Sequence, residues 1–195
     1  SVDSHTFSLV SDSSYADNES FTISGNQLII KDSADYESQS SYSILLEARD
    51  DDGATVVKGF TINVNDINDT PTDISIDSSS IDENNYFGAT VAFLSASDQD
   101  SGDSHTFSLI SGTSSTDNDK FTIAGNQLII NESADYERQS SYSILLEAGD
   151  DDGATVVKGF TINVNDINDP PTDISIDSSS IDERNHSGAT VAVLS

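Results

Sequence analysis

Along residues 72–171 the chain alternates apolar and polar positions in short runs. Thr72–Asp77 (TDISID) is the first, followed by Thr90–Ala96, His105–Ser111, Phe121–Ile123, Gln127–Ile130, Tyr142–Ala148 and the longer Ala154–Asn165. A period of two places successive side chains on opposite faces of a strand. Turn-forming residues separate the runs, among them Gly125-Asn126 and the Asp-Asp-Asp-Gly stretch at 150–153. No stretch long enough for a core helix spaces its apolar residues at three and four. Seven strands in about 100 residues predict an all-β fold, a seven-stranded Greek-key β-sandwich. The predicted core is Leu94, Phe107, Leu109, Phe121, Ile123, Leu128, Ile130, Ile144, Leu146, Val156, Phe160, Ile162 and Val164. The last strand, at roughly 3.3 Å per residue, makes the domain about 40 Å long.

The same pattern occurs again with a period of 100. Residues 1–95 align without a gap on 101–195 with 77 identities in 95 positions, and the block Asp50–Asp69 recurs unchanged as Asp150–Asp169. Such a period is a whole domain rather than a solenoid unit. The expected boundaries lie near Pro71 and Pro171. Residues 1–71 then form a repeat without its first two strands, 72–171 a complete repeat, and 172–195 the first two strands of a third.

The net charge is −28, from 35 acidic against 7 basic residues. A field of that sign repels phosphate backbones and anionic lipid, so no nucleic-acid partner is expected. No run of roughly 18 apolar residues is present, so no membrane insertion by this segment is expected. With no cysteine in the sequence, disulfides and thiol chemistry are excluded.

The acidic residues gather at the ends of predicted strands: Asp35-Tyr36-Glu37, Asp50–Asp52, Asp66–Asp69 and Asp98–Asp103, with copies 100 residues later. Strand ends of a sandwich meet at two poles, so carboxylates from consecutive repeats should converge there. Each like-charge contact at 4 Å costs about 1 kcal/mol even in water. A hard divalent cation relieves that repulsion, and Ca2+, which takes six to eight oxygens, suits such a donor set better than Mg2+. The EF-hand spacing is absent, so a site would be assembled from distant segments.

These motifs resemble those of cadherin repeats. Asp66-Ile67-Asn68-Asp69 with Pro71, and Asp166–Asp169 with Pro171, resemble the DxND linker. Asp35-Tyr36-Glu37 and Asp135-Tyr136-Glu137 resemble the DRE element with Tyr in place of Arg. Asp98-Gln99-Asp100 resembles DxD, Ala48-Arg49-Asp50 and Ala148-Gly149-Asp150 resemble AxD, and Glu83 resembles the first-strand glutamate. The five motifs stand in family order over one period and cover the whole chain. The linker is one residue shorter before its proline than in animal cadherins, a form resembling bacterial cadherin-like repeats of large RTX-type adhesins. The Asn expected after DxD is replaced by Asp103 or Ser104. The chain has no Trp, so strand-swap adhesion of the vertebrate type has no support.

The resemblance implies Ca2+ at the linkers. At the first junction it implies as ligands Asp35, Glu37, Asp66, the carbonyl of Ile67, Asn68, Asp69 and the carbonyl of Thr70, with Asp98, Asp100, Asp103 and Asp150 from the following repeat. At the second it implies Glu83, Asp135, Glu137, Asp166, Ile167, Asn168 and Asp169, and Glu183 stands where Glu83 stands one period earlier. Asp51, Asp52, Asp151 and Asp152 read as turn formers. Two partners are expected: neighbouring repeats of the same protein, and another protomer whose 172–195 segment completes residues 1–71 head to tail, supplying Glu183.

The implied function is a calcium-rigidified extender or stalk of a secreted or cell-surface adhesin. The alternative is a calcium-dependent homophilic or polysaccharide-binding adhesion module. No enzyme is expected: His5, His105 and His186 form no ligand-like spacing, and there is no phosphate-binding glycine loop.

Overall fold

A computed structural model describes residues 4–113 and 116–195. The first three residues of the predicted 1–71 repeat lie outside that description. The described residues form thirteen strands and no α-helix: β1 (His5–Leu9), β2 (Phe21–Ser24), β3 (Gln27–Ile30), β4 (Ser41–Asp50), β5 (Thr55–Asn63), β6 (Asp73–Ile76), β7 (Ser80–Asp82), β8 (Thr90–Ser97), β9 (Thr106–Leu109), β10 (Phe121–Ala124), β11 (Gln127–Ile130), β12 (Ser141–Gly149) and β13 (Thr155–Asn165). Short 3₁₀ turns precede β2 and β10.

Strands β6–β13 make two four-stranded sheets, in the orders β10-β11-β8-β6 and β7-β13-β12-β9. All seven runs read from the sequence are strands here. The structure adds β7, which the sequence reading missed. The chain leaves β6, which pairs antiparallel with β8, bends at Asp77–Ser79, and enters the opposite sheet as β7, parallel to β13. Asp77 fixes the bend, since its Oδ1 accepts the Phe93 N–H at 2.7 Å while Ser78 Oγ donates to the Ser80 carbonyl. One bent segment thus contributes a strand to each sheet, a common device at sandwich corners. The inner faces bury Ile74, Leu94, Leu128, Ile130, Tyr142, Ile144, Leu146 and Ile162, and every predicted core residue lies in this cluster or packs against it.

Strands β1, β4 and β5 form a three-stranded sheet, and β2 and β3 a separate hairpin. The hairpin loop is Gly25-Asn26, with Gly25 at φ +62°, the left-handed position that such a two-residue turn requires at its first residue. The buried core here is smaller: Phe21, Tyr42 and Ile44. Residues 172–195 contribute only an isolated bridge between Ile176 and Leu194.

Candidate metal centre between successive units

The DxND segment 66–69 leaves β5 and meets two loops of the β6–β13 sandwich. Asn68 Nδ2 donates to Asp150 Oδ2 at 3.0 Å, and the Asp69 N–H donates to Asp100 Oδ2 at 2.6 Å. Gln99 Nε2 donates back to Asp69 Oδ2 at 2.8 Å. Asp150 is buried because it works in two directions. Its Oδ1 accepts the N–H groups of Asp152, Gly153 and Ala154, closing the turn into β13, which leaves Oδ2 for Asn68. Those bonds, that of Asn68 foremost, hold the Asp150 carboxyl below its usual range.

Around this contact the carboxylates converge in two groups, each with one oxygen per residue mutually within 4.8 Å: Glu37, Asp66 and Asp100, and Asp98, Asp103 and Asp150. The first joins β3–β4 loop, linker and β8–β9 loop, so it draws on both sides of the linker. Glu37 is raised from its ordinary value. The bond to its own backbone N–H is the strongest influence and lowers it, but desolvation and the charges of Asp66, Asp100 and Asp69 outweigh that bond. Asp103 is raised by desolvation first, then by Asp100, Asp151, Asp98 and Asp150. Its Oδ2 is buried without a hydrogen-bond partner among the described residues.

At the far pole a third group repeats the pattern with Glu83, Glu137 and Asp169. Glu83 is 4% exposed and accepts the Tyr136 N–H at 2.9 Å and the Ile167 N–H at 2.6 Å, bonds that lower its pKa. Glu137 is raised: a bond to its own N–H lowers it, whereas desolvation and the charges of Glu83, Asp166 and Asp169 prevail.

Several predicted residues stand apart. Asp35 and Asp135 turn their Oδ1 atoms to the N–H groups of Ser38 and Arg138, closing the loops that carry Glu37 and Glu137. Asn168 bonds locally to the Asp169 carbonyl. Among the described residues Glu183 pairs with its neighbour Arg184, at 3.9 Å, on a solvated stretch. Thr70 and Ile67 lie in the first linker, and Ile167 in the second touches its carboxylate group only through the N–H it donates to Glu83. Of the turn-forming aspartates, Asp151 accepts from Ser104 Oγ at 2.5 Å, and Asp51 accepts from Ser4. The sequence reading missed one neighbour of the site: His105 Nε2 lies 3.2 Å from Asp98 Oδ2. A single histidine seven residues beyond Asp98 carries no spacing signal that could have announced it.

No family model matches the chain. Among curated proteins it is 32% identical over 177 residues to protocadherin gamma-A3 of Pan troglodytes, covering 87% of this chain and 19% of that protein. It is 30% identical over 165 residues to cadherin-4 of Caenorhabditis elegans, covering 82% of this chain and 4% of the relative. The chain therefore spans about a fifth or less of the curated relatives it matches, and these are animal cadherins rather than bacterial adhesins or enzymes. Among solved structures, the protocadherin gammaB4 extracellular domain superposes with a TM-score of 0.66 at 25% identity, over 98% of this chain and 31% of that one. Strand order, polar motifs and relatives agree that this chain is built of cadherin-like extracellular domains.

Proposed function

We propose that the chain is part of a calcium-stiffened extender of a secreted or cell-surface adhesin, with Ca2+ held where one unit meets the next. The observation that supports this reading is the convergence of Glu37 and Asp66 with Asp100 from across the linker. Three carboxylates so close repel one another, yet the linker's own hydrogen bonds draw the segments together. Calcium supplies positive charge and accepts six to eight oxygens, which suits a site with more carboxylates than donors. The buried, unpartnered Asp103 Oδ2 is the kind of atom such an ion would satisfy.

In this reading Glu37, Asp66, Asp98, Asp100, Asp103 and Asp150 hold ions at the first junction, with Asp69, Asn68 and the carbonyls of Ile67 and Thr70 completing the shell. Asp35 orients the loop that bears Glu37. Glu83, Glu137, Asp166, Asn168 and Asp169 serve the second junction, with Asp135 orienting its loop. The division into units at Pro71 and Pro171 belongs to the same proposal. So does a bacterial-type surface parent, suggested by linker length although the matched relatives are animal proteins. Extracellular calcium modules bind at roughly 10⁻⁴ to 10⁻³ M, so the rod would stiffen after export. Small-angle scattering of a multi-repeat array tests this: the maximum dimension should shorten markedly on chelation, and unchanged dimensions would overturn the reading.

A second reading, an adhesive or glycan-binding module, draws on Tyr86, Phe87 and Phe93, which are exposed. Large solvent-facing aromatics mark interaction surfaces. In the next copy they become His186, Ser187 and Val193, so a binding role would be confined to single repeats. Glycan-array or bead-aggregation signal lost in Tyr86→Ala/Phe87→Ala would favour it.

A further inference from the structure

The loop between β8 and β9 leaves at Asp98 and returns at His105. The Asp103 N–H donates to the Asp100 carbonyl at 3.1 Å, which reverses the chain. Ser104 Oγ donates to Asp151 Oδ1 at 2.5 Å and ties the return to the turn after β12. Thr106 pairs with Gly149 across the β9–β12 ladder, so His105 and Asp150 are the next residues outward at the junction pole. The backbone thus sets a largely buried imidazole against a buried carboxylate. The His105 side chain is 14% exposed, that of Asp98 is 3% exposed, and Nε2 lies 3.2 Å from Oδ2. We propose that His105 is a positioning residue of the junction site, its Nε2–H holding the Asp98 carboxylate toward Asp103 and Asp150 so that calcium meets oxygens already in place.

Asp98, Asp103 and Asp150 bring one oxygen each within 4.8 Å of the others. Like charges so close repel, and an unrestrained Asp98 side chain would rotate away. The loop restrains one oxygen, since Oδ1 accepts the Asp100 N–H at 3.2 Å. His105 restrains the other. Asp150 is held in the same manner, its Oδ2 accepting from Asn68 Nδ2 at 3.0 Å. Asp103 Oδ2 has no such donor among the described residues although it is buried. Two of the three carboxylates are therefore fixed by side-chain donors, and the third is left for the ion.

The imidazole acts through Asp98. Its nitrogens do not belong to the group of mutually close ligand atoms, which comprises the three aspartates. A carboxylate oxygen has two lone pairs, so Oδ2 can accept Nε2–H and still face a cation. Outer-shell donors of this kind orient the ligands of metal sites, and losing one typically costs about tenfold to a hundredfold in metal affinity. The inference rests on the calcium reading and adds to it a residue that the reading does not use.

Two measurements on the full chain test it. In chelator, long-range proton–nitrogen correlation spectra should show a proton on His105 Nε2, the nitrogen that must donate. A ring protonated on Nδ1 alone would overturn the proposal. In calcium titrations, backbone amide shifts of residues 98–103 report the site. Their midpoint should move to about tenfold to a hundredfold higher calcium in His105→Leu. His105→Gln, whose amide Nε2 can donate from a similar reach, should return it to within about threefold of the unaltered chain. The Tyr136 and Ile167 amides at the far pole should respond alike in all three chains, and melting in chelator verifies that each variant folds. An unmoved midpoint in His105→Leu, a tighter one, or no rescue by His105→Gln would overturn the positioning role alone. Amides 98–103 that ignore calcium in the unaltered chain would instead overturn the calcium reading, and this inference with it.

Discussion

The two hairpins β2–β3 and β10–β11 share the residues FTI and QLII and the same register, Phe21 opposite Ile30 and Phe121 opposite Ile130. Their fates differ. Leu128 and Ile130 are 0% exposed, whereas Leu28 and Ile30 are 37% and 38% exposed. Local structure is the same in both, down to the edge-to-face contact of Phe21 with Tyr42 and of Phe121 with Tyr142. Among the described residues β11 has β8 and β6 beyond it, and β3 pairs with β2 alone. Strand formation and hairpin register are thus encoded within each run, while burial is conferred by segments distant in sequence. A fully buried aliphatic side chain contributes about 1.5–3 kcal/mol relative to an exposed one, so the two hairpins contribute very differently to stability.

The largest expected effect follows directly. Ile130→Ala should cost about 2–5 kcal/mol, the range for truncating a buried aliphatic. Ile30→Ala, at a side chain 38% exposed, should cost under about 1 kcal/mol. Urea denaturation followed by amide exchange, which separates the two regions, checks the pair. Equal costs would break the comparison by showing that β2–β3 is covered in solution.

A smaller difference is expected at the glutamates. Glu83→Ala leaves the Tyr136 and Ile167 N–H groups without their acceptor, and unpaired amides at a partly buried site are destabilising. The melting temperature of the β6–β13 sandwich should fall by several degrees in calcium-free buffer. Glu183→Ala, on a solvated segment, should leave it unchanged in dilute solution. A loss at Glu183 as large as that at Glu83 would break the comparison, because the solvated glutamate would then hold backbone amides of its own.

Much of this was legible in the sequence. Alternation found the seven main strands because a half-buried strand must alternate, and the core followed from the same phase. Three kinds of feature were not legible. The short β7 carries too few residues to show a period, and its placement depends on the Asp77 bend. Val91 and Ala92 are adjacent yet both buried, an interruption of the alternation beside the β8–β11 register shift between Leu128 and Ile129. At the candidate metal centre, the cadherin resemblance implied one ligand set that included Asp35, Glu37, Asp66, Asp98, Asp100, Asp103 and Asp150, but not that the carboxylates gather in two groups or that Asp35 and Asp135 each turn an oxygen to their own loop. The sign of a carboxylate cluster is visible in one dimension, whereas the direction of each oxygen depends on backbone amides that only the folded loops bring near.

The smallest effect concerns protons, and it distinguishes carboxylates that are crowded from those that are satisfied. Glu37, Glu137 and Asp103 lie above their ordinary values, so between its unfolded and folded value each keeps a proton in the folded chain that the unfolded chain has released. Their contribution to stability is complete below the unfolded pKa and is lost as pH rises through the raised folded one. Glu83 and Asp150 have the opposite sign. Lowered by Tyr136 and by Asn68 respectively, they stabilise above their unfolded values, and that stability disappears as pH falls through their folded ones. If calcium is held as proposed, it must compete with the protons of the first set. The rise in melting temperature on adding calcium, worth about 1.4 kcal/mol at ten times Kd, should therefore be small near the ordinary carboxylate values of 3.8 and 4.5 and full at pH 7. Thermal scans across that range, with calcium and with chelator, measure it. A calcium shift independent of pH would mean that the crowded carboxylates are not the ones that meet the ion.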